Sequence, residues 1–233
     1  METTEDLIIF FVKYPESGRV KTRLSQRLGP DLAASFYRNF VLDLLETFEK
    51  VGRPLAICFS PQNKKSDFVQ WLGPGHPYRP QKGKDLGERM RDAFECVFLD
   101  GWKRAILLGS DIPDLPSQVV EEALTALHTR DTVIGPALDG GYYLIGFRHD
   151  SFSPEAFKDV PWGSGSVFTK TLAILKAEHR SVHILPAWRD VDTLEDLREL
   201  AQRSTQTGFA GSRTMAQVAE LLPKGPEQKG QII

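Results

Sequence analysis

The chain has 233 residues, 41% hydrophobic and 26% charged, proportions that fit an ordinary globular protein large enough for one sizeable core. Its 29 basic residues nearly balance its 31 acidic ones, giving a net charge of −2. That balance excludes a general nucleic-acid or anionic-membrane binder and makes any cationic function local.

The opening "METTEDLIIFF" is acidic ahead of a short apolar run, which fits neither a signal peptide nor a membrane span. "LIIFFV" (7–12) is a continuous run of β-formers, the pattern of a strand buried on both faces. A cation-rich loop follows, "KYPESGRVKTRL", with Lys13, Arg19, Lys21 and Arg23 against Glu16. After Pro30, apolar residues at Leu32, Phe36, Phe40, Val41, Leu44, Leu45 and Phe48 predict one buried helical face. "PLAICFS" reads as a strand and "KSDFVQWL" as a short helix. "GPGHPYRPQKGKD" is too dense in Gly and Pro for regular structure. "LGERMRDAFECVFLDG" predicts a helix with Leu86, Met90, Phe94, Val97 and Phe98 inward. "RAILLG" predicts a strand, "PSQVVEEALTALH" a helix, and "TVIGPA" and "YYLIGF" a hairpin across "LDGG". "GSVFTKTLAILKA", "SVHIL" and "TLEDLRELAQR" continue as helix, strand and helix. Cys58 in a strand and Cys96 in a helix have apolar neighbours, so they read as buried thiols in a reducing, cytoplasmic setting.

Alternating strands and helices predict a mostly parallel sheet covered on both faces. Residues 1–203 read as a single domain, and 204–233 as a C-terminal extension with one short helix, "SRTMAQVAELL", and a mobile tail, "PKGPEQKGQII".

In open parallel sheets, ligands bind beyond the carboxyl ends of the strands. The cationic loop lies there, as do Asp111 and Asp114 in "SDIPDLP", Asp139, Gly140 and Gly141 in "LDGG", and Asp190 and Asp192 in "PAWRDVDT". Carboxylates facing cations across one rim are what a metal-bound phosphate ester needs. Mg²⁺ or Mn²⁺ takes carboxylate and phosphate oxygens, and Arg and Lys neutralise the remaining charge. Gly18 offers a turn and backbone amides to a phosphate. Each piece also has a plainer use. The loop cations fit a solvated surface, Asp111 and Asp114 fit turn or cap positions, Asp139 before two glycines fits a turn, and Asp192 fits a helix start with Thr193 as cap and Asp196 completing a capping box. Dinucleotide, P-loop and hydrolase-elbow motifs are absent, and the five histidines show no ligand spacing.

The ordered motifs "GRVKTRL", "DLGERM", "LLGSDIPDL", "GPALDGGYYLIGF", "PW" and "RDVDTLEDL" resemble the bacterial nucleotide-diphospho-sugar transferases described as glycosyltransferases, some linked to arsenosugar biosynthesis. The likeness spans about residues 7 to 200. It implies an α/β fold of the glycosyltransferase-A type, a three-layer α/β/α sandwich with a mostly parallel mixed sheet. That fold is shared with sugar-nucleotide pyrophosphorylases and with molybdenum-cofactor and phospholactate guanylyltransferases. By resemblance Asp111 holds a divalent metal, Mg²⁺ or Mn²⁺, and Asp192 is its second carboxylate. Arg19, Lys21 and Arg23 grip phosphates, beside Lys13 and Gly18, which the loop residues themselves assign to phosphate; Asp85 and Gly87 of "DLG" lie at base or ribose, and Asp139, Gly140 and Gly141 lie at sugar or acceptor. Trp162 is placed to stack on a sugar or to plug a loop. One departure stands out: family members often carry Ser or Thr directly after this tryptophan, whereas here Gly163, Ser164, Gly165 and Ser166 follow.

The resemblance implies a metal-dependent transferase using a nucleotide-diphospho-sugar donor and a small-molecule acceptor, with Asp111, Asp139 and Lys21 as the catalytic group and Asp139 as base. The alternative is a nucleotidyltransferase that uses a nucleoside triphosphate and releases pyrophosphate. A non-catalytic nucleotide-binding module is a third class, disfavoured by the paired carboxylates. Neither nucleic acid nor a membrane span is expected, and a homodimer is compatible with the reading.

Overall fold

The structure is a computed structural model that describes residues 5–221; the tail expected to be mobile lies outside the described residues. In chain order the elements are β1 (Asp6–Lys13), α1 (Thr22–Leu28), α2 (Pro30–Val51), β2 (Leu55–Ser60), α3 (Lys65–Leu72), β3 (Tyr78–Pro80), α4 (Leu86–Leu99), β4 (Arg104–Leu108), α5 (Ser117–Ala126), β5 (Thr132–Pro136), β6 (Tyr142–Arg148), α6 (Val167–Ala177), β7 (Val182–Ile184), α7 (Leu194–Ser204) and α8 (Arg213–Leu221). The strands form one seven-stranded sheet in the order β3-β2-β1-β4-β6-β5-β7. All neighbours pair parallel except β6, which runs antiparallel to β4 and β5.

The period of two along β1 divides the core. Ile8, Phe10 and Val12 pack with residues of α2, α3 and α5 on one face, while Leu7, Ile9 and Phe11 pack with α4 and α6 on the other. Both faces are thereby covered, which is why β1 reads as an unbroken apolar run.

Five features differ from the sequence expectation. The cationic loop is shorter than it looked, because "TRLSQRL" forms α1, closed by Gly29, whose N–H bonds to Ser25 O. The Gly/Pro-rich passage contains β3, which adds to the sheet beside β2 through main-chain pairing that composition does not encode. Helix α2 buries two sides, not one. Val41, Leu44, Leu45 and Phe48 face the sheet, whereas Phe36 and Phe40 join Leu24, Val191, Leu197, Leu200 and Val218 in a separate cluster. That cluster brings α1, α7 and α8 onto the outer side of α2. Leu86 is not inward but 46% exposed, and Cys96 is only half-buried, whereas Cys58 is buried.

The topology also sets the rim. The strand ends at Lys13, Leu108 and Pro136 point the same way, and β6 starts at that rim with Tyr142 because it runs backwards. Among the described residues, no helix is long and apolar enough to cross a membrane.

Candidate active site

Each loop on this rim has a local reason for its shape. Arg19 N–H bonds to Glu16 O (3.0 Å), with Gly18 supplying the positive φ of +75° that the turn requires. Lys21 then caps α1 in the left-handed region (φ 46°, ψ 48°), an uncommon conformation for a residue with a side chain. Tyr37 of α2 ties the ends of two strands together. Its Oη accepts from Lys13 N–H (2.9 Å) and shares a hydrogen bond with Ser110 Oγ (2.8 Å). The loop after β4 is joined to the loop before α7 by Val191 N–H donating to Asp111 O (2.9 Å). A capping box of Thr193 and Asp196 starts α7 and fixes Asp192 just ahead of it.

Lys13, Arg19, Lys21 and Arg23 border one cleft of about 720 Å³ together with Asp111, Asp139, Gly141, Trp162, Asp190 and Asp192. The cations from the first loop and the carboxylates from the later loops therefore face the same space. At its centre the Lys21 ammonium lies 2.5 Å from Asp111 Oδ1 and 2.9 Å from Asp192 Oδ1, with its side chain only 3% exposed. The Lys21 ammonium also lies over the Phe40 ring, with Nζ 5.5 Å from the centroid. Arg23, largely exposed, approaches Asp192 Oδ2 at 3.7 Å.

The charges respond to this crowding. Burial alone would lower the Lys21 pKa, but the Asp111 and Asp192 carboxylates outweigh it and hold the ammonium charged. Asp111 is held below the ordinary carboxylate range: desolvation within the cleft opposes ionisation, although half of the side chain is exposed, and Lys21 overcomes it. Asp190 goes the other way. Burial, then the negative charges of Asp111 and Asp139, push it up to about 8. Its Oδ1 is buried without a hydrogen-bond partner.

The remaining candidate residues have other tasks. Asp139 accepts from Gly141 N–H (2.8 Å), closing the turn expected of an acid before two glycines, and it also borders the cleft. Gly140 (φ +91°) packs against the Gly165 backbone, where a Cβ would sit 2.1 Å from the carbonyl oxygen. The steric demand falls on Gly140; at Gly165 an added Cβ would meet only Asp139 O, at 3.3 Å, and at Gly163 nothing within 4 Å. Gly87 does not line the cleft. It is buried beneath Trp162, whose indole nitrogen would lie 2.6 Å from an added Cβ. Trp162 meets Tyr142 edge-on at 6.2 Å and forms a wall of the cleft. Asp85 is the N-cap of α4, accepting from Glu88 N–H (2.9 Å), and it too lies outside the cleft lining, as do Gly18 and Gly140. Asp114 is a structural anchor. Arg203 clasps both of its oxygens (2.7 and 3.0 Å), and Trp188 Nε1 donates to it (3.2 Å).

The sequence placed Asp190 among the rim carboxylates without a metal role and gave none to Gln81 or Arg89; all three border the cleft. Asp190 carried one signal, its spacing of two from Asp192 on a rim loop; Gln81 sits in the stretch taken as irregular.

The donor set suits a hard divalent cation. Asp111, Asp190 and Asp192 offer only oxygens, and the buried Oδ1 of Asp190 has no hydrogen-bond partner. Among the described residues no three such side chains converge as a ready-made metal cage. Mg²⁺ and Mn²⁺ do not need one, since one or two carboxylates with substrate phosphates and water suffice.

Comparison with known proteins agrees with this architecture. Residues 44–164 match the family described as uncharacterized proteins conserved in bacteria, DUF2064. The crystal structure of a protein from Desulfovibrio desulfuricans G20, described as a candidate nucleotide-diphospho-sugar transferase, is 45% identical, with a TM-score of 0.91 over 94% of this chain and 95% of that one. The inositol-1-phosphate CTP transferase of T. maritima is 12% identical and matches in fold, with a TM-score of 0.54 over 93% and 97% of the chains. Rv0371c of Mycobacterium tuberculosis H37Rv, solved with manganese, is 15% identical, with a TM-score of 0.50 over 84% and 98%. No curated protein matches the chain in sequence. The fold is thus the three-layer α/β/α sandwich of nucleotide-diphospho-sugar transferases, with the mostly parallel mixed sheet that the sequence predicts.

Proposed function

This chain belongs to the DUF2064 family, and on that premise we propose that it is a transferase that moves a sugar from a nucleoside diphosphate to a small acceptor. One observation carries the reading: a single cleft of nucleotide-sugar size sets Lys13, Arg19, Lys21 and Arg23 against Asp111 and Asp192, with an aromatic wall of Trp162 and Tyr142 beyond them. The cations hold the diphosphate, and Arg19 and Arg23 can take its oxygens in pairs. The aromatic wall gives the sugar an apolar face to rest on.

In the transfer, the bond between the anomeric carbon and the diphosphate oxygen breaks, and a bond from the acceptor oxygen to that carbon forms. The acceptor proton goes to Asp139. One of its oxygens is engaged by Gly141 N–H, which orients the carboxylate and leaves the other for the proton. The electron pair leaves with the diphosphate, where the cationic loop stabilises the growing charge. Asp111 and Asp192, with Asp190 beside them, would hold Mg²⁺ or Mn²⁺, which supplies further charge neutralisation at the diphosphate when bound.

A second reading, nucleotidyl transfer from a nucleoside triphosphate, is favoured by the number of loop cations and by the fold shared with the T. maritima CTP transferase. The products separate the two. The chain is incubated with Mn²⁺, acceptor mixtures, and either labelled nucleotide sugars or nucleoside triphosphates. Release of nucleoside diphosphate with sugar on the acceptor is the expected result. Acceptor-dependent release of pyrophosphate would replace it with the second reading.

A further inference from the structure

Lys21 occupies an odd place for a residue meant only to grip phosphate. Its ammonium does not point into open cleft but bridges Asp111 Oδ1 and Asp192 Oδ1, and its side chain is almost fully covered. Those two carboxylates are themselves half-exposed, at 50% and 38%. The acids that would receive a divalent cation are thus open to solvent, while the cation already between them belongs to the protein.

The backbone supports a movable role. Lys21 is fixed as the cap of α1, where Ser25 N–H bonds to its carbonyl oxygen (2.8 Å), in a left-handed conformation adopted without a side-chain capping bond. The Cα is thereby anchored, but the four-carbon stem can re-aim the ammonium without moving the loop. An arginine here would hold both carboxylates through a rigid fork; a lysine is a point charge that can be exchanged. The neighbouring Asp190 Oδ1 has no hydrogen-bond partner, so the Lys21 ammonium serves Asp111 and Asp192 and does not reach it.

The geometry points to Lys21 as an internal counter-ion that competes with the divalent cation for Asp111 and Asp192 and transfers to the donor's diphosphate when that cation binds. This rests on the transferase reading above and deepens it. Metal and nucleotide become coupled through one side chain. A metal ion arriving at the carboxylates frees the ammonium for phosphate, and a diphosphate that draws the ammonium away opens the carboxylates to metal. By linkage each ligand tightens the other, and the metal-free protein avoids holding Asp111 and Asp192 as bare neighbours.

The test measures binding, not turnover. The full chain, stripped of metal with a chelator, is titrated with Mn²⁺ alone, and free Mn²⁺ is followed by electron paramagnetic resonance. Wild type, Lys21→Met, Lys21→Gln and Lys21→Arg are compared, with folding checked by circular dichroism. Removing the ammonium is expected to tighten binary Mn²⁺ binding at least tenfold in Lys21→Met or Lys21→Gln, whichever folds. Lys21→Arg, which keeps a cation and clamps the carboxylates more rigidly, shows no gain and binds Mn²⁺ no tighter than wild type. Adding Asp111→Asn to the tightened variant abolishes the gain. A second readout is the melting temperature: Lys21→Met lowers it without metal, and Mn²⁺ restores more of it than it adds to wild type. Folded Lys21→Met and Lys21→Gln that bind Mn²⁺ no tighter than wild type overturn the proposal, and Lys21 is then an ordinary structural bridge. If wild type in that case still takes up Mn²⁺ when a mixture of nucleoside diphosphates is added, the transferase reading stands and only the coupling falls. If no variant binds Mn²⁺ with or without those nucleotides, both fall.

Discussion

Asp111 and Asp114 lie three residues apart on one loop, and both are bonded to basic side chains from far along the chain, yet they are built for opposite ends. Asp114 is nearly closed off, with 6% side-chain exposure; Arg203 takes both of its oxygens and Trp188 Nε1 adds a third bond. A planar fork on a carboxylate leaves little acceptor capacity for anything else. Asp111 is half-exposed, shares one ammonium with Asp192, and neighbours an acid with an unpartnered oxygen. The difference teaches how to separate anchor from site among carboxylates on one rim. An anchor has its hydrogen bonds filled, whereas a site keeps unused acceptors next to exchangeable charge.

The largest expected effect falls on the site side. Asp111→Asn keeps the shape and removes the charge. Transfer, measured as kcat/KM, should drop about 100-fold, roughly 2.7 kcal/mol of transition-state stabilisation. The Mn²⁺-dependent rise in melting temperature should vanish while the metal-free protein remains folded. An unfolded variant would place Asp111 with Asp114 among the anchors and erase the contrast.

Asp114→Ala should do the reverse. It strands the half-buried Arg203 guanidinium and the Trp188 N–H, so urea denaturation should show a loss of about 3 kcal/mol. Turnover per folded molecule should change less than about threefold, since Asp114 lies outside the cleft lining. A variant with intact stability and lost turnover would make Asp114 part of the site.

The smallest effect concerns Asp131, a satisfied acid away from the rim. Ser181 gives it both a hydroxyl and an N–H bond (2.7 and 2.8 Å), and these bonds hold its pKa below the ordinary value. With the folded value lowered, the unfolded chain takes up the proton first on acidification. The contribution is therefore present above the unfolded pKa, near 4, and is lost as pH falls through the folded value. Asp131→Asn should flatten the acid limb of the stability profile while costing well under ~1 kcal/mol at pH 7. An unchanged acid limb would show that the Ser181 bonds persist in the unfolded chain or count for nothing.

These contrasts also mark how far the sequence could be read. The apolar run of β1, the amphipathic helices and the Asp139 turn between paired strands all follow from local periodicity and turn chemistry. The Thr193–Asp196 box was equally legible, because its four residues are consecutive. Helix α1 was hidden inside a stretch that looked like a charged loop, since only Leu24 is buried on it. The second buried side of α2 depends on α7 and α8, more than 140 residues downstream, and no window on α2 reveals them. Asp85 and Gly87 sat in a motif suggestive of nucleotide contact, yet one caps a helix and the other makes room for a tryptophan 75 positions away.

By itself the sequence determined that strands and helices alternate, that cations gather after the first strand, and that carboxylates gather after later ones. Those are local facts, set by side-chain period and by the residues that turns and caps demand. Only the tertiary structure decided that Lys21 lies between Asp111 and Asp192, that Arg203 withdraws Asp114 from the rim, and that Asp190 is left with an unmet acceptor. The reason is that a charge takes its role from its nearest partner, and here those partners lie up to 171 residues away along the chain.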